Sequence, residues 1–362
     1  MKRKEIYILL CGMFLLVFGY GCAQVIDTVT ATQLKLAGSN VFVSGTTLSM
    51  SITALDQDNV RIGNLGAGNL SGKIYNSNPL VSGMTAATTQ QAVATLAFTS
   101  MSSGGTKLVS GALVIDKSGS MGVTKLESAE VAAREFVSSE AAASASNKAS
   151  VVLFDDHVSI EAEMRALSSS DVATINDAIN IRNGYGGSTA LYYAISRGII
   201  EASKESVSSN LTRAVIALTD GGENASPDPY SGTGGTTEVI NLAINSGIPV
   251  YTVGLFSTTT EASNYSSALK SIARETTGSQ DNYFEVIVGG AEDLSVSSNS
   301  RIRALASLST LYQNLANALI NSYSVSATLS NSLSAGNYWM VLTVQNYGGF
   351  SGQEIVVPFV VR

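Results

Sequence analysis

Val114-Ile115-Asp116-Lys117-Ser118-Gly119-Ser120-Met121 decides how this chain is read. An apolar run ends in a carboxylate, and hydroxyls follow at every second position, with Gly119 between the two serines. If the run is a strand, Asp116, Ser118 and Ser120 turn their oxygens toward one point just beyond its carboxyl end. Three hard oxygens with one negative charge suit Mg2+ or Mn2+, with Ca2+ also admissible, and not Zn2+. In a chain this rich in serine, D-x-S-x-S alone is a weak pattern. Two further stretches strengthen it.

The first is Gly186-Gly187-Ser188-Thr189-Ala190-Leu191, a glycine-rich turn opening onto a helical pattern. The second is Val215-Ile216-Ala217-Leu218-Thr219-Asp220-Gly221-Gly222, another apolar run ending in a carboxylate and a turn. Loops of this kind meet in the crevice at the carboxyl edge of an open parallel sheet. Together the three pieces resemble the metal-ion-dependent adhesion site of von Willebrand factor type A domains, and all five positions of that site are present. The resemblance implies Asp116, Ser118, Ser120, Thr189 and Asp220 as the metal residues. It implies that the two serines and the threonine bind the ion directly or nearly so, and that the aspartates often act through water.

The resemblance covers roughly residues 107–321, and the hydrophobic pattern of that segment agrees with it. Leu113 to Ile115 and Val151 to Phe154 read as buried strands, and Val158 to Met164 as a short edge strand. Leu126, Ala129, Ala132, Ala133, Phe136 and Val137 fall at helical spacing. Further helices are expected at about 171–182, 189–204, 237–246 and 266–276, and strands at 213–219, 249–256 and 283–287. A last helix carries Leu305, Leu308, Leu311, Tyr312, Leu315 and Leu319 on one stripe. Alternating strands and helices with apolar strands predict a doubly wound, mostly parallel α/β sheet covered on both faces.

The flanks read as β. Leu48, Met50, Ile52 and Ala54 alternate with Ser49, Ser51 and Thr53, and strands presenting every second residue to one face are also expected at Ala92, Ala94, Leu96 and Phe98, at Trp339, Val341 and Thr343, and at Ile355, Val357, Phe359 and Val361. About forty C-terminal residues make a poor core alone. The expected solution is one all-β sandwich built from residues 27–105 and 323–362, with the α/β domain inserted between them. The organisation read from the chain is therefore a signal peptide at 1–21, the first part of the sandwich at 22–105, the type A domain at 106–322, and the rest of the sandwich at 323–362.

Lys2, Arg3 and Lys4 precede the apolar run Ile6 to Phe18, too short for a membrane span and typical of an export signal. Gly21-Cys22 resembles a bacterial lipoprotein signal, which implies a lipid on Cys22 and an anchor in the cell envelope. Gly19 and Tyr20 depart from that pattern, and cleavage after Ala23 is the alternative, giving a periplasmic or secreted protein. The only other cysteine, Cys11, lies in the apolar run, so the exported part has no disulfide. Losing residues 1–21 removes three basic residues and one acidic one and takes the formal charge from −7 to −9. Such a surface speaks against nucleic acid as a partner.

An ion held by neutral hydroxyls stays electrophilic and has a coordination position to spare. The expected function is divalent-metal-dependent protein binding or adhesion at the bacterial cell envelope, with the metal capturing an Asp or Glu of a partner protein. The alternative is a structural or assembly scaffold whose metal only stabilises the loops. An enzyme is not expected. His157 is the single histidine, no G-x-S-x-G occurs, and Gly104-Gly105-Thr106-Lys107 lacks P-loop spacing. Asp155-Asp156-His157 and Asp56-Gln57-Asp58-Asn59 read as turns. Of Tyr192 and Tyr193, one is expected in the core and the other at the rim. Loops 183–188 and 222–235 are placed on the metal face, where they would set partner choice.

Overall fold

The computed structural model describes residues 31–79, 92–102, 107–182, 184–208, 210–288 and 298–362, with side chains described from residue 307 in the last of these segments. Residues 1–21 and Cys22, to which export and lipidation were assigned, lie outside the described residues. Gln33–Arg362 forms one compact unit. Among the described residues, no helix is long and apolar enough to cross a membrane.

The unit holds two sheets. The α/β sheet is made of β5 (Leu108–Asp116), β6 (Lys148–Phe154), β7 (Val158–Ala166), β8 (Leu211–Thr219), β9 (Val250–Phe256) and β10 (Tyr283–Ile287), in the order β10-β9-β8-β5-β6-β7. All neighbours are parallel except β7, which pairs antiparallel with β6 as the edge strand. Its helices are α1 (Gly122–Ala143), α2 (Ser169–Ala178), α3 (Leu191–Ser203), α4 (Gly232–Ser246), α5 (Thr259–Thr277) and α6 (Ser298–Ile320).

Strand β5 shows why the sheet is buried on both faces. Val109, Leu113 and Ile115 point into one core with Leu126, Phe136 and Val137 of α1 and Leu308, Leu311, Tyr312, Leu315 and Leu319 of α6. Ala112 and Val114 point into the other, with α3, α4 and α5. Two glycines let the helices come close. A Cβ on Gly111 would meet the Phe136 ring at 2.9 Å, and one on Gly198 of α3 would meet Val114 at 2.5 Å. These approaches seat α1 on one face of β5 and α3 on the other.

The second sheet is antiparallel and draws on both flanks: β1 (Lys35–Ser44), β2 (Thr47–Leu55), β3 (Leu70–Tyr75), β4 (Ala94–Ser102), β11 (Tyr323–Leu329), β12 (Gly336–Val344) and β13 (Glu354–Val361). Their order is β1-β2-β11-β4-β3-β12-β13. The C-terminal β11 sits between the N-terminal β2 and β4, so the flanks do share one module. The strands share one hydrogen-bonded sheet, where a sandwich implies two layers. Sheet twist and coiling bring its edge strands β1 and β13 against each other.

This sheet lies at the amino-terminal ends of the parallel strands. Lys107, just before β5, donates to Ser51 Oγ at 2.6 Å, and Tyr251 at the start of β9 hydrogen-bonds Thr53 across 3.2 Å. Asn40 donates to the carbonyl of Leu211, the first residue of β8, and Asn282, just before β10, donates to Leu36. The carboxyl ends of the strands therefore face away from the second sheet.

Candidate metal centre

The D-x-S-x-S segment folds by its own chemistry. Asp116 ends β5, and its Oδ1 accepts the Ser118 N–H at 2.7 Å, an Asx turn that reverses the chain. Its Oδ2 accepts the Thr219 hydroxyl at 2.5 Å. The neighbouring strand β8 ends at Thr219, so Asp116 and Asp220 emerge side by side where the strand order reverses. Ser118 Oγ lies 3.1 Å from Ser120 Oγ, and Ser120 donates to Asp220 Oδ1 at 2.7 Å. Gly119 fits closely over the second loop, donating its N–H to the carbonyl of Gly187.

Thr189 joins the group from the other side. Its N–H donates to Asn224 Oδ1 at 2.7 Å, and its carbonyl accepts the N–H groups of Asn224 and Ala225. A Cβ on Gly221 would stand 3.6 Å from Ser120 Oγ and 3.8 Å from Thr189 Oγ1, so both hydroxyls border one point. All five residues singled out in the sequence meet at this crevice. Asp116, Ser118, Thr189 and Asp220 are buried, while Ser120 is exposed at the mouth.

Charge at the crevice is unbalanced. Burial, and then the nearby Asp220, push the Asp116 carboxyl up to about 7. Burial also raises Asp220, opposed by the Lys125 ammonium. Among the ion pairs of the described residues, Lys125 serves Asp220 and none serves Asp116. Three hydroxyls and two crowded carboxylates form a hard-oxygen donor set that fits a divalent cation, which would supply the missing counter-charge.

Several residues that build the crevice were not legible in the sequence. Glu223 accepts the Tyr192 N–H at the start of α3, and the N–H groups of Ala225 and Ser226, binding the 222–226 loop to the helix. An anion at a helix N-terminus also suits the macrodipole. Thr219, Lys125, Asn224 and Glu261 likewise carried no signal, because each acts through a partner distant in sequence. The glycines at 232, 234 and 235 suggested loop, but α4 starts at Gly232. Gly235 serves close packing there, since a Cβ would run into the Tyr230 carbonyl. Tyr192 is in the core, and Tyr193 packs on Tyr230 of the following loop at 6.0 Å between ring centroids. The exposed Tyr265 of α5 lies against Gly222.

Asp155-Asp156-His157 forms the expected turn, with Asp155 Oδ1 accepting the His157 N–H. The ligating atoms of these three side chains lie within 4.8 Å of one another. Asp155 is already engaged by Lys117 at 3.1 Å, and its carbonyl accepts the Ala190 N–H at 2.7 Å, which props the Thr189 loop. Asp56 is a turn residue too, its Oδ1 accepting the N–H groups of Asp58 and Val60.

No curated protein matches the chain. Among solved structures it resembles a von Willebrand factor type A protein from Catenulispora acidiphila, at 11% identity and a TM-score of 0.40 over 92% of this chain and 75% of that one. It also resembles the vWF domain of the type V pili tip protein Mfa5 from Porphyromonas gingivalis, at 13% identity and a TM-score of 0.42 over 60% and 97%. A third is proximal thread matrix protein 1 of the mussel byssus, solved with a zinc-occupied MIDAS motif, at 17% identity and a TM-score of 0.39 over 64% and 50%. Residues 112–290 match the family described as von Willebrand factor type A domain.

Proposed function

We propose that the crevice at Asp116, Ser118, Ser120, Thr189 and Asp220 holds a divalent cation, Mg2+ or Mn2+ first and Ca2+ second, and offers it to a carboxylate of a partner protein. The protein would then be a metal-dependent binding or adhesion protein, not an enzyme. We place it at the bacterial cell envelope, exported by residues 1–21 and anchored by a lipid on Cys22. The observation that carries the metal reading is Asp116, buried at the carboxyl edge with no counter-ion among the described ion pairs and with hydroxyls converging beside it.

The scaffold reading is less well supported. Its ion would serve to fix the loops, yet Asn224 already ties Thr189, Thr219 ties Asp116, and Ser120 ties Asp220. A cation added to a crevice so preorganised is free to act on something outside it.

Titration calorimetry of Mg2+, Mn2+, Ca2+ and Zn2+ into wild type and Asp116→Ala tests the proposal. Zn2+ belongs in the series because the mussel protein holds it. The expected result is one bound ion in wild type, lost in the variant, with acetate binding only in the ion's presence. An ion that binds equally to both proteins would remove the site from consideration.

A further inference from the structure

Asp220 is held more tightly than a metal-seeking carboxylate needs to be. Lys125 Nζ lies 2.5 Å from its Oδ2 and 3.2 Å from Glu261 Oε1, and reaches the Ser120 carbonyl at 3.4 Å. The ammonium is 3% exposed. Lys125 sits in the first turn of α1, on the same segment that carries Ser118 and Ser120. Glu261 is itself fixed at the start of α5: its second oxygen accepts the Ser257 N–H at 2.6 Å, and its N–H donates to the Thr258 cap.

Both oxygens of Asp220 are thus taken, Oδ2 by Lys125 and Oδ1 by the Ser120 hydroxyl. To reach a cation directly, the carboxylate would have to leave a buried ion pair, which strands an ammonium and is strongly unfavourable. Its path to the ion runs through Ser120 instead. A cation in the crevice is then bound mainly by neutral oxygens and keeps a position that Asp220 would otherwise fill.

Building on the proposed metal binding, we infer that Lys125 is a positioning residue that by itself holds Asp220 off the cation and so keeps a coordination position open for a partner's carboxylate. This role predicts a gain in metal affinity on losing the lysine, opposite to what damage to the site would give. Lys125→Met keeps the unbranched stem of the side chain, one atom shorter, and removes the charge, freeing Asp220 Oδ2 to swing inward.

The test compares Mn2+ binding to the protein and its variants, by calorimetry and by the water-proton relaxation that counts exchangeable waters on the ion. For Lys125→Met, with the ammonium's repulsion gone and Asp220 freed, we expect Mn2+ to bind about tenfold tighter, with the loss of an exchangeable water and weaker binding of acetate to the bound ion. Unchanged or weaker affinity in the folded variant, or an unchanged water count, overturns the inference. Glu261→Gln covers the case in which Lys125→Met does not fold. Lys125 stays on Asp220 there, so affinity is expected to fall about threefold with the water count kept. A rise in affinity with loss of a water would count against the clamp. Wild-type protein that binds no Mn2+ sinks the metal reading and the clamp together; wild type that binds it beside an unaltered Lys125→Met sinks the clamp alone.

Discussion

The two ends of the parallel strands carry opposite errors of charge. At the carboxyl end, Asp220 and Glu261 share one buried cation, Lys125, and Asp116 is buried with no ion pair among those described. At the amino end, under the antiparallel sheet, Lys107 and Arg213 are buried and neither has a carboxylate partner among the described ion pairs. Lys107 donates to a hydroxyl, and Arg213 to the carbonyls of Glu205 and Ser246. The amino end is closed by protein and settles its cations with neutral dipoles, one hydrogen bond at a time. The carboxyl end is open, and its excess of negative charge is left for something from outside. A fold that can place uncompensated charge at both ends stabilises itself elsewhere, in the two apolar layers between.

The largest effect that would test this division lies in those layers. Phe136 is fully buried between β5 and α6, edge-on to Tyr312 at 6.4 Å. Phe136→Ala is expected to cost about 3–5 kcal/mol in urea denaturation, lowering both ends together. A small loss there would mean that the ends hold the molecule and the layers do not.

Lys107 gives the next largest effect, of opposite sign. Burial lowers its amine from 10.5 to about 8. Below pH 8 the amine is charged in folded and unfolded chains alike, and folding bears the whole cost of burying it. Between about 8 and 10.5 the folded protein has shed a proton that the unfolded chain still holds, so stability rises with pH. Lys107→Met is therefore expected to stabilise by about 2–3 kcal/mol at pH 7, with the gain shrinking to below about 1 kcal/mol at pH 10. Denaturation at both pH values measures it, and metal affinity should not move. A shift in metal affinity would show that the two ends are coupled.

The smallest effect belongs to Asn224, whose side chain accepts the Thr189 N–H and so reaches the crevice through Thr189. Asn224→Ala is expected to cost about 1 kcal/mol of stability and to weaken metal binding several-fold by freeing the Thr189 loop. Calorimetry and denaturation together decide it. Unchanged metal affinity would place the ordering of that loop in Asp155 and Glu223 instead.

How far the sequence could be read follows the same division. The central strands of the α/β sheet were legible because burial on both faces leaves them as unbroken apolar runs, as in β5, β6 and β8. The five residues that meet at the crevice could be picked out because strand ends and glycine turns punctuate the chain where they stand. In the antiparallel sheet, β2 showed alternation and β12 and β13 read as apolar runs, but β1 and β3 showed neither. β1 is interrupted by Gly38-Ser39-Asn40 and a register shift between Ser39 and Phe42, with Asn40 at φ 51°. β3 carries Gly72, whose missing side chain is replaced by Leu96 from the neighbouring strand, where a Cβ would come within 2.6 Å. Neither substitution of packing for pattern can be seen in one strand alone. Lys125 was hidden for a related reason: in the sequence it reads as an ordinary charged residue of a helix, and only the fold brings Asp220 and Glu261 to it.

One bond at the junction has a mechanical consequence. The Lys107 N–H donates to the Ile320 carbonyl at 2.9 Å, so the chain enters and leaves the α/β part at adjacent points. Those points lie at the end opposite the crevice. Any pull between a partner gripped at Ser120 and the rest of the chain therefore runs along β5 from one end to the other. That pull is carried by the covalent backbone of β5, and its hydrogen bonds to β6 and β8, which lie across the line, bear only the part passed to the neighbouring strands. A tether attached at the crevice end would leave β5 outside the line of force. The placement of the junction makes the load-bearing strand the one that carries Asp116.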